Sequence, residues 1–261
     1  MTTNHISAET AKDQGLPGWD VYRASHLRYH DPLNRDAGVV HLNIEAYKAF
    51  SDTVLLNRLH AMQAENHATQ KWFDGGDFLS GKPMPRNDVT LLYMDWINYE
   101  YLKIAAGFEL HLKARLLERD FVVHELDRSD PVYMTIATKQ KTHPISKSEI
   151  FAIQPYHFDG KQNYLPGLKE TSLKFSTIID KMEYRTALEL PDDHLNIVQD
   201  YRTLRNQIHL SSDIVEAPNI RAYPGSIVEF LTGFINSEIV AHTNALIAQY
   251  QLNRRPLEPF L

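Results

Sequence analysis

Two arginines and a histidine, Arg202, Arg205 and His209, recur at three- and four-residue steps within Tyr201-Arg-Thr-Leu-Arg-Asn-Gln-Ile-His-Leu210. On a helix turning about 100° per residue, positions three, four and seven apart lie on nearly one face. The three side chains then form a single basic stripe. Guanidinium groups hold phosphate oxygens through paired hydrogen bonds, and an imidazole passes protons near neutral pH. The trio therefore suits holding and cleaving a phosphodiester, with Asn206 placed to orient either partner. The same residue types also occur on plain surface helices, where Arg202 and Arg205 would pair with carboxylates such as Asp200 or Asp213.

The element that must position the trio is legible in its apolar residues. Ile197, Tyr201, Leu204 and Ile208 form a second stripe about a quarter turn away, so the helix can bury one side and offer the other to a cleft or partner. Asp192 or Asp193 suits its start, by capping and by the helix dipole.

The phrase Leu204-Arg-Asn-Gln-Ile-His-Leu210, closing a helix in a helical chain, resembles the HEPN superfamily of helical domains. The family motif is an Arg followed by a polar residue such as Asn, then a His after four to six intervening positions. Arg205 has the matching neighbour, Asn206, but three residues before His209. Arg202 has six intervening residues but is followed by Thr203. Either arginine fits part of the motif. Beyond this segment the resemblance covers helix order, roughly residues 43 to 252.

The resemblance implies a mainly α fold, a HEPN-like antiparallel helical bundle, and a metal-independent endoribonuclease acting without a cofactor. Its catalytic set would be Arg205, His209, Arg202 and Asn206. RNA would be the substrate, a homodimer would juxtapose two motif helices, and an antitoxin or regulatory protein would fit a toxin or defence setting. The reading from a different class is a non-catalytic binding or scaffold domain whose Arg/His face makes structural salt bridges.

Composition bounds these readings. The chain has 261 residues, 43% of them hydrophobic and 23% charged, which is ordinary for a folded domain with a sizeable core. A net charge of −6 argues against a broad nucleic-acid coat, because such binding needs clustered Lys and Arg. Any RNA contact must be local. With no cysteine, thiolate catalysis and cysteine-ligated zinc are excluded, and a reducing compartment such as the cytoplasm fits. No segment reaches the apolar length of a membrane helix, and the N-terminus has neither the basic head nor the apolar run of a signal peptide.

Along the chain, polar residues with His, Asp and Pro predict an irregular arm over 1–42, followed by a helical domain over 43–252 and a frayed tail over 253–261. A first helix runs from Asn43 to about Lys71, ended by Gly75 and Gly76. A second runs from a cap at Asn87 or Asp88 to about Arg119, with Ile97, Tyr101, Ile104, Phe108, Leu112 and Leu116 as its core stripe. Gly107 costs about 1 kcal/mol relative to Ala in mid-helix, which points to a close helix crossing. Glu109 and Lys113 read as an exposed pair without a role.

Residues 120–167 break the pattern as an insertion. Phe121-Val-Val-His and Val132-Tyr-Met-Thr-Ile suit short strands or extended packing segments, and Ser146-Lys-Ser-Glu149 is a capping box. Lys139, Lys141, His143 and Lys147 make a basic patch there, readable as RNA contacts or, more readily, as a solvated loop. Helices are expected from about Leu168 to Met182 and from a capping box at Ser226 to about Tyr250. Thirteen histidines invite a metal reading, but the spacing fails: Glu65-Asn-His67 and Glu109-Leu-His111 have the wrong interval for a di-iron bundle. No phosphate-cradling glycine loop or serine-hydrolase elbow is present.

Overall fold

The computed structural model describes residues 38–52, 86–153, 167–210, 230–250, 252 and 255–260, with the side chains of 86–100, Glu170, Asp193 and 207–210 outside the description. These residues are mainly helical. The helices are α1 (38–52), α2 (Arg86–Glu118), α3 (Met134–Lys139), α4 (Lys147–Ile153), α5 (Phe175–Asp180), α6 (Met182–Leu188) and α7 (Asp192–Leu210). α8 spans 230–249, its middle, Ile235–Ala241, wound as a π-helix and its end, His242–Gln249, as an α-helix. A two-stranded antiparallel sheet pairs β1 (His124–Leu126) with β2 (Leu168–Ser172).

The described residues fall into two compact units. The first takes those within Met1–Ile44, Glu109–Leu195 and Thr243–Pro256; the second takes those within Glu45–Phe108, Asn196–His242 and Leu257–Leu261.

In the first unit, α2 ends in a Schellman turn. Asp120, at φ 63°, donates its backbone N–H to Leu117 at 3.1 Å, and Phe121 donates to Leu116 at 2.9 Å, satisfying carbonyls that a helix end would leave unpaired. α6 stops the same way at Glu189 (φ 49°), whose N–H reaches Thr186 at 3.1 Å while Leu190 reaches Arg185 at 3.4 Å. Arg119 holds the Glu189 carboxylate at 2.8 Å and donates to the Ala187 carbonyl. Hydrogen bonding to that guanidinium, and its charge, keep the Glu189 carboxyl below the ordinary range.

The insertion has a small core of its own: Val122, Leu126, Tyr133, Ala137, Ile145 and Ile150 are buried together. Gln140 anchors it. Its amide nitrogen donates to the His124 carbonyl at 2.8 Å and its amide oxygen accepts from Leu126 N–H at 2.8 Å, so this side chain completes the β1 edge that β2 leaves open. The buried Tyr184 hydroxyl donates to the Gln140 carbonyl at 2.8 Å, and burial pushes its ionisation far up. Gly167 precedes β2 at φ +72°, with the Tyr133 ring within 2.7 Å of where a Cβ would stand.

Several sequence expectations need correction. Residues 38–42, assigned to the irregular arm, are helical, and Val39, Val40 and Leu42 are buried; their apolar character outweighs the polar residues around them. The rest of the arm lies outside the described residues, as do the first helix beyond Asp52 and the Ser226 capping box. Val132 and Tyr133 form a turn and Met134–Ile136 open α3, so this stretch is neither a strand nor an extended segment. The helix expected over Leu168–Met182 is strand β2 followed by two short helices, because β1 captures Leu168–Ser172 and Lys174 and Lys181 both adopt extended backbone.

The Glu109–Lys113 pair is not exposed. Lys113 is 7% exposed, holds Glu109 at 2.6 Å and donates to the Ser172 hydroxyl at 2.9 Å, tying α2 to β2. The segment after Arg254, expected to fray, is docked: Asn236 donates from Nδ2 to the Phe260 carbonyl at 2.8 Å and accepts the Phe260 N–H on Oδ1 at 2.7 Å.

In the second unit the α2 stripe is buried as expected at Tyr101, Ile104 and Phe108. The Phe50 ring lies edge-on to Phe108 at 5.0 Å and to Phe234 at 5.9 Å, and Phe108 meets Phe234 at 5.5 Å. Gly107 faces that cluster, so the expected close helix approach is present between α1 and α2.

Candidate active site

Positions 192–210 form one continuous helix, α7. It starts directly after Pro191, whose carbonyl accepts from Leu195 N–H at 2.9 Å. Proline suits a helix start because the position needs no amide donor, and the exposed Asp192 adds negative charge where the helix dipole favours it.

The helix sorts its faces as its sequence requires. Within the second unit Val198, Tyr201 and Leu204 are buried, with Ile197 half-buried. Tyr201 packs its ring near Tyr101, centroids 6.0 Å apart, and near Phe108 at 6.4 Å. These aromatic contacts fix the rotation of α7 about its axis.

That rotation places the predicted site residues. Arg202 and Arg205 are both half-buried, three residues apart on one side of the buried stripe, and both engage neighbouring groups. Asn206 is exposed. The backbone of His209 continues the helix one turn beyond Arg205, so the trio shares one helix; the His209 side chain lies outside the described residues, as does Asp213. Chemically, two guanidinium groups at one helical step can grip a phosphate-sized anion, and half-burial lowers the dielectric in which they act.

The second basic cluster behaves otherwise. Lys139 is held by Glu149 at 2.6 Å, Lys147 is buried with Asp120 at 3.6 Å, and His143 stands 3.8 Å from Glu183. Lys139 and His143 are exposed in or beside a turn, as a solvated loop would have them, whereas Lys147 is buried and belongs to the interior of the insertion. Lys141 is exposed.

Among the described residues no three His, Asp or Glu side chains gather as a metal site would need. His111, considered as a ligand, is buried with Nδ1 3.2 Å from the Asn43 amide oxygen. No described helix is long and apolar enough to cross a membrane. Comparison with protein-family models, with curated proteins and with solved structures finds no match for this chain.

Sequence reasoning missed Asn236 as an interaction site. The available signal was the aromatic residue in Leu257-Glu-Pro-Phe-Leu261, which a solvated tail has no use for.

Proposed function

We propose that the protein is a metal-independent endoribonuclease of HEPN type, working in the cytoplasm as a homodimer and suited to a toxin or defence role under an antitoxin or regulatory partner. The observation that carries the reading is the half-buried pair Arg202 and Arg205, held on the helix that also bears His209 one turn on.

The RNA 2′-hydroxyl would attack the adjacent phosphorus as the bond to the 5′-oxygen breaks. One His209 takes the 2′ proton and the partner protomer's His209 supplies a proton to the departing oxygen. Arg205 or Arg202 neutralises the charge growing on the phosphate oxygens, and Asn206 orients a neighbour. No cofactor is required. The test is incubation of wild type and His209→Ala with a mixed RNA pool in EDTA. Cleavage by wild type alone, leaving 2′,3′-cyclic phosphate ends, supports the reading; equal cleavage by both removes His209 from it, and no cleavage by either rejects it for the chain on its own.

A second reading, a helical scaffold, is favoured by the fact that both arginines are half-buried and already engaged. It expects His209→Ala or Arg205→Ala to lower the melting temperature with no activity to lose.

A further inference from the structure

Residues 257–260 cross two helices of the second unit and are held at both. On α8, Asn236 in the π-helical turn takes the Phe260 N–H on Oδ1 at 2.7 Å and donates from Nδ2 to the Phe260 carbonyl at 2.8 Å. On α1, the Tyr47 hydroxyl donates to the Glu258 carbonyl at 2.9 Å, and its ring meets that of Phe260 edge-on with centroids 5.5 Å apart. The same two helices also touch through their buried side chains, the Phe50 and Phe234 rings lying 5.9 Å apart. Tyr47 precedes Phe50 by one helical turn, and Asn236 follows closely on Phe234. The seam between α1 and α8 is therefore joined twice, by a buried aromatic contact and by a partly exposed stretch of chain laid across it.

The two anchors are not independent. Pro259 alone separates the Glu258 carbonyl from the Phe260 N–H, and its ring fixes its own φ and disfavours helical backbone at Glu258. So stiff a joint transmits the release of one anchor to the other. Phe260 is half-buried, so its ring, amide and carbonyl leave their partners together. A segment held by few buried contacts and by hydrogen bonds near solvent opens at a lower free energy than the whole fold. The seam it crosses also bears on the candidate site. Phe108 meets Phe50, Phe234 and Tyr201, so closing the seam supports the packing that orients α7 and its arginines.

We propose that residues 257–260 are a one-piece strap over the seam between α1 and α8, opening and closing locally while the first unit stays folded. Closed, the strap ties Tyr47 and Asn236 to one stiff stretch of chain. Open, it leaves the seam to its aromatic core. The inference stands apart from the ribonuclease reading, since hydrogen exchange rather than RNA cleavage reads it.

The test is residue-resolved amide hydrogen exchange on the full chain, as wild type, Tyr47→Phe and Asn236→Ala. Tyr47→Phe keeps the ring and removes only the hydroxyl that holds Glu258, so it touches neither hydrogen bond of Phe260. In wild type the Phe260 amide is expected to exchange about ten-fold or more slower than an unprotected amide, and Tyr47→Phe to quicken it about three-fold or more, because releasing one anchor opens both. A Phe260 rate unmoved by Tyr47→Phe would mean separate contacts and overturns the proposal, as does an unprotected rate in wild type. The Leu126 N–H, in the first unit, is the control and is expected to keep its wild-type rate in both variants. Equal quickening of Leu126 and Phe260 would mean general destabilisation and overturns the proposal too. Asn236→Ala releases the anchor on α8, and the Phe50 amide of α1 is expected to quicken with it. A Phe50 rate left as in wild type would show that the segment does not hold the seam, and the proposal falls.

Discussion

The Phe50 ring occupies the space that a side chain at position 107 would need: a Cβ added to Gly107 would meet Cε1 and Cζ of Phe50 at 2.7 Å. Two effects compete in Gly107→Ala. Helix propensity favours alanine by about 1 kcal/mol, whereas overpacking a dense core costs about 1–3 kcal/mol. A ring free to swing would let propensity win. Phe50 is fully buried between Phe108 and Phe234, so the clash should win. Urea denaturation is expected to find Gly107→Ala destabilised by up to about 2 kcal/mol once the propensity gain is subtracted, and a raised midpoint would count against the close crossing.

Ser146 and Glu149 satisfy each other's backbone at the start of α4: Ser146 N–H reaches the Glu149 carboxylate at 2.9 Å, and Glu149 N–H reaches the Ser146 hydroxyl at 3.3 Å. Ser146→Ala should cost about 1 kcal/mol, the usual loss of an N-cap. Burial alone would raise the Glu149 carboxyl, but the Lys139 ammonium and the Ser146 N–H outweigh it and hold it below the ordinary range. A carboxylate depressed on folding stabilises above its unfolded pKa, and that contribution is lost as pH falls through the folded value. Wild type should therefore lose stability on acidification below about pH 4.3, the unperturbed glutamate value, and Glu149→Gln should lose less over the same range. Parallel melting curves against pH for the two proteins would rule this out.

Gln140 gives the β1 backbone two hydrogen bonds in a buried setting. Gln140→Ala strands the His124 carbonyl and the Leu126 N–H, each at about 1–3 kcal/mol if no water reaches it. Gln140→Glu keeps the acceptor but loses the donor, so it should be impaired as well. The expected result is a clear drop in melting temperature for both variants, the alanine change being among the most damaging within the insertion. A change of less than a degree would mean that the clasp is dispensable.

How much of this was readable beforehand depended on the range of the interactions involved. The α2 stripe, the α7 stripe and the capping box at Ser146 follow from spacings of three and four residues. The structure buries the first stripe from Tyr101 to Leu116 and the second at Tyr201 and Leu204, while Ile97 and Ile208 lie outside the described side chains. Strand β2 was misread because Leu168-Lys-Glu-Thr-Ser holds no strong local signal; its conformation comes from pairing with β1, over forty positions earlier. Lys113 looked like half of a surface pair because Glu109 is one turn away, while Ser172, which draws it inward, is distant in sequence. The docking of Phe260 depends on Asn236, whose amide supplies both donor and acceptor but which meets its partner 24 positions on only in the folded chain. For the candidate site, the grouping of Arg202 and Arg205 was legible from helical period alone, whereas their half-burial required Tyr201 to pack against Tyr101 and Phe108.

The two arginines differ in what their neighbours suggest, and lysine replacement separates them. Lysine keeps the charge but loses the planar fork that holds two phosphate oxygens at once. If Arg205 is the group that meets the phosphate, with Asn206 beside it, Arg205→Lys should cut RNA cleavage about 100-fold or more, in line with removing one preorganised donor from a transition state. Arg202→Lys should then cost far less. The reverse ranking would assign the role to Arg202, which has six residues between it and His209, the longer of the two spacings. Both variants keep the buried Tyr201 and Leu204, so melting temperatures near wild type are expected and serve as the control. Equal small losses from both, accompanied by lower melting temperatures, would indicate that the arginines are held for structure, and the nuclease reading would lose its main support.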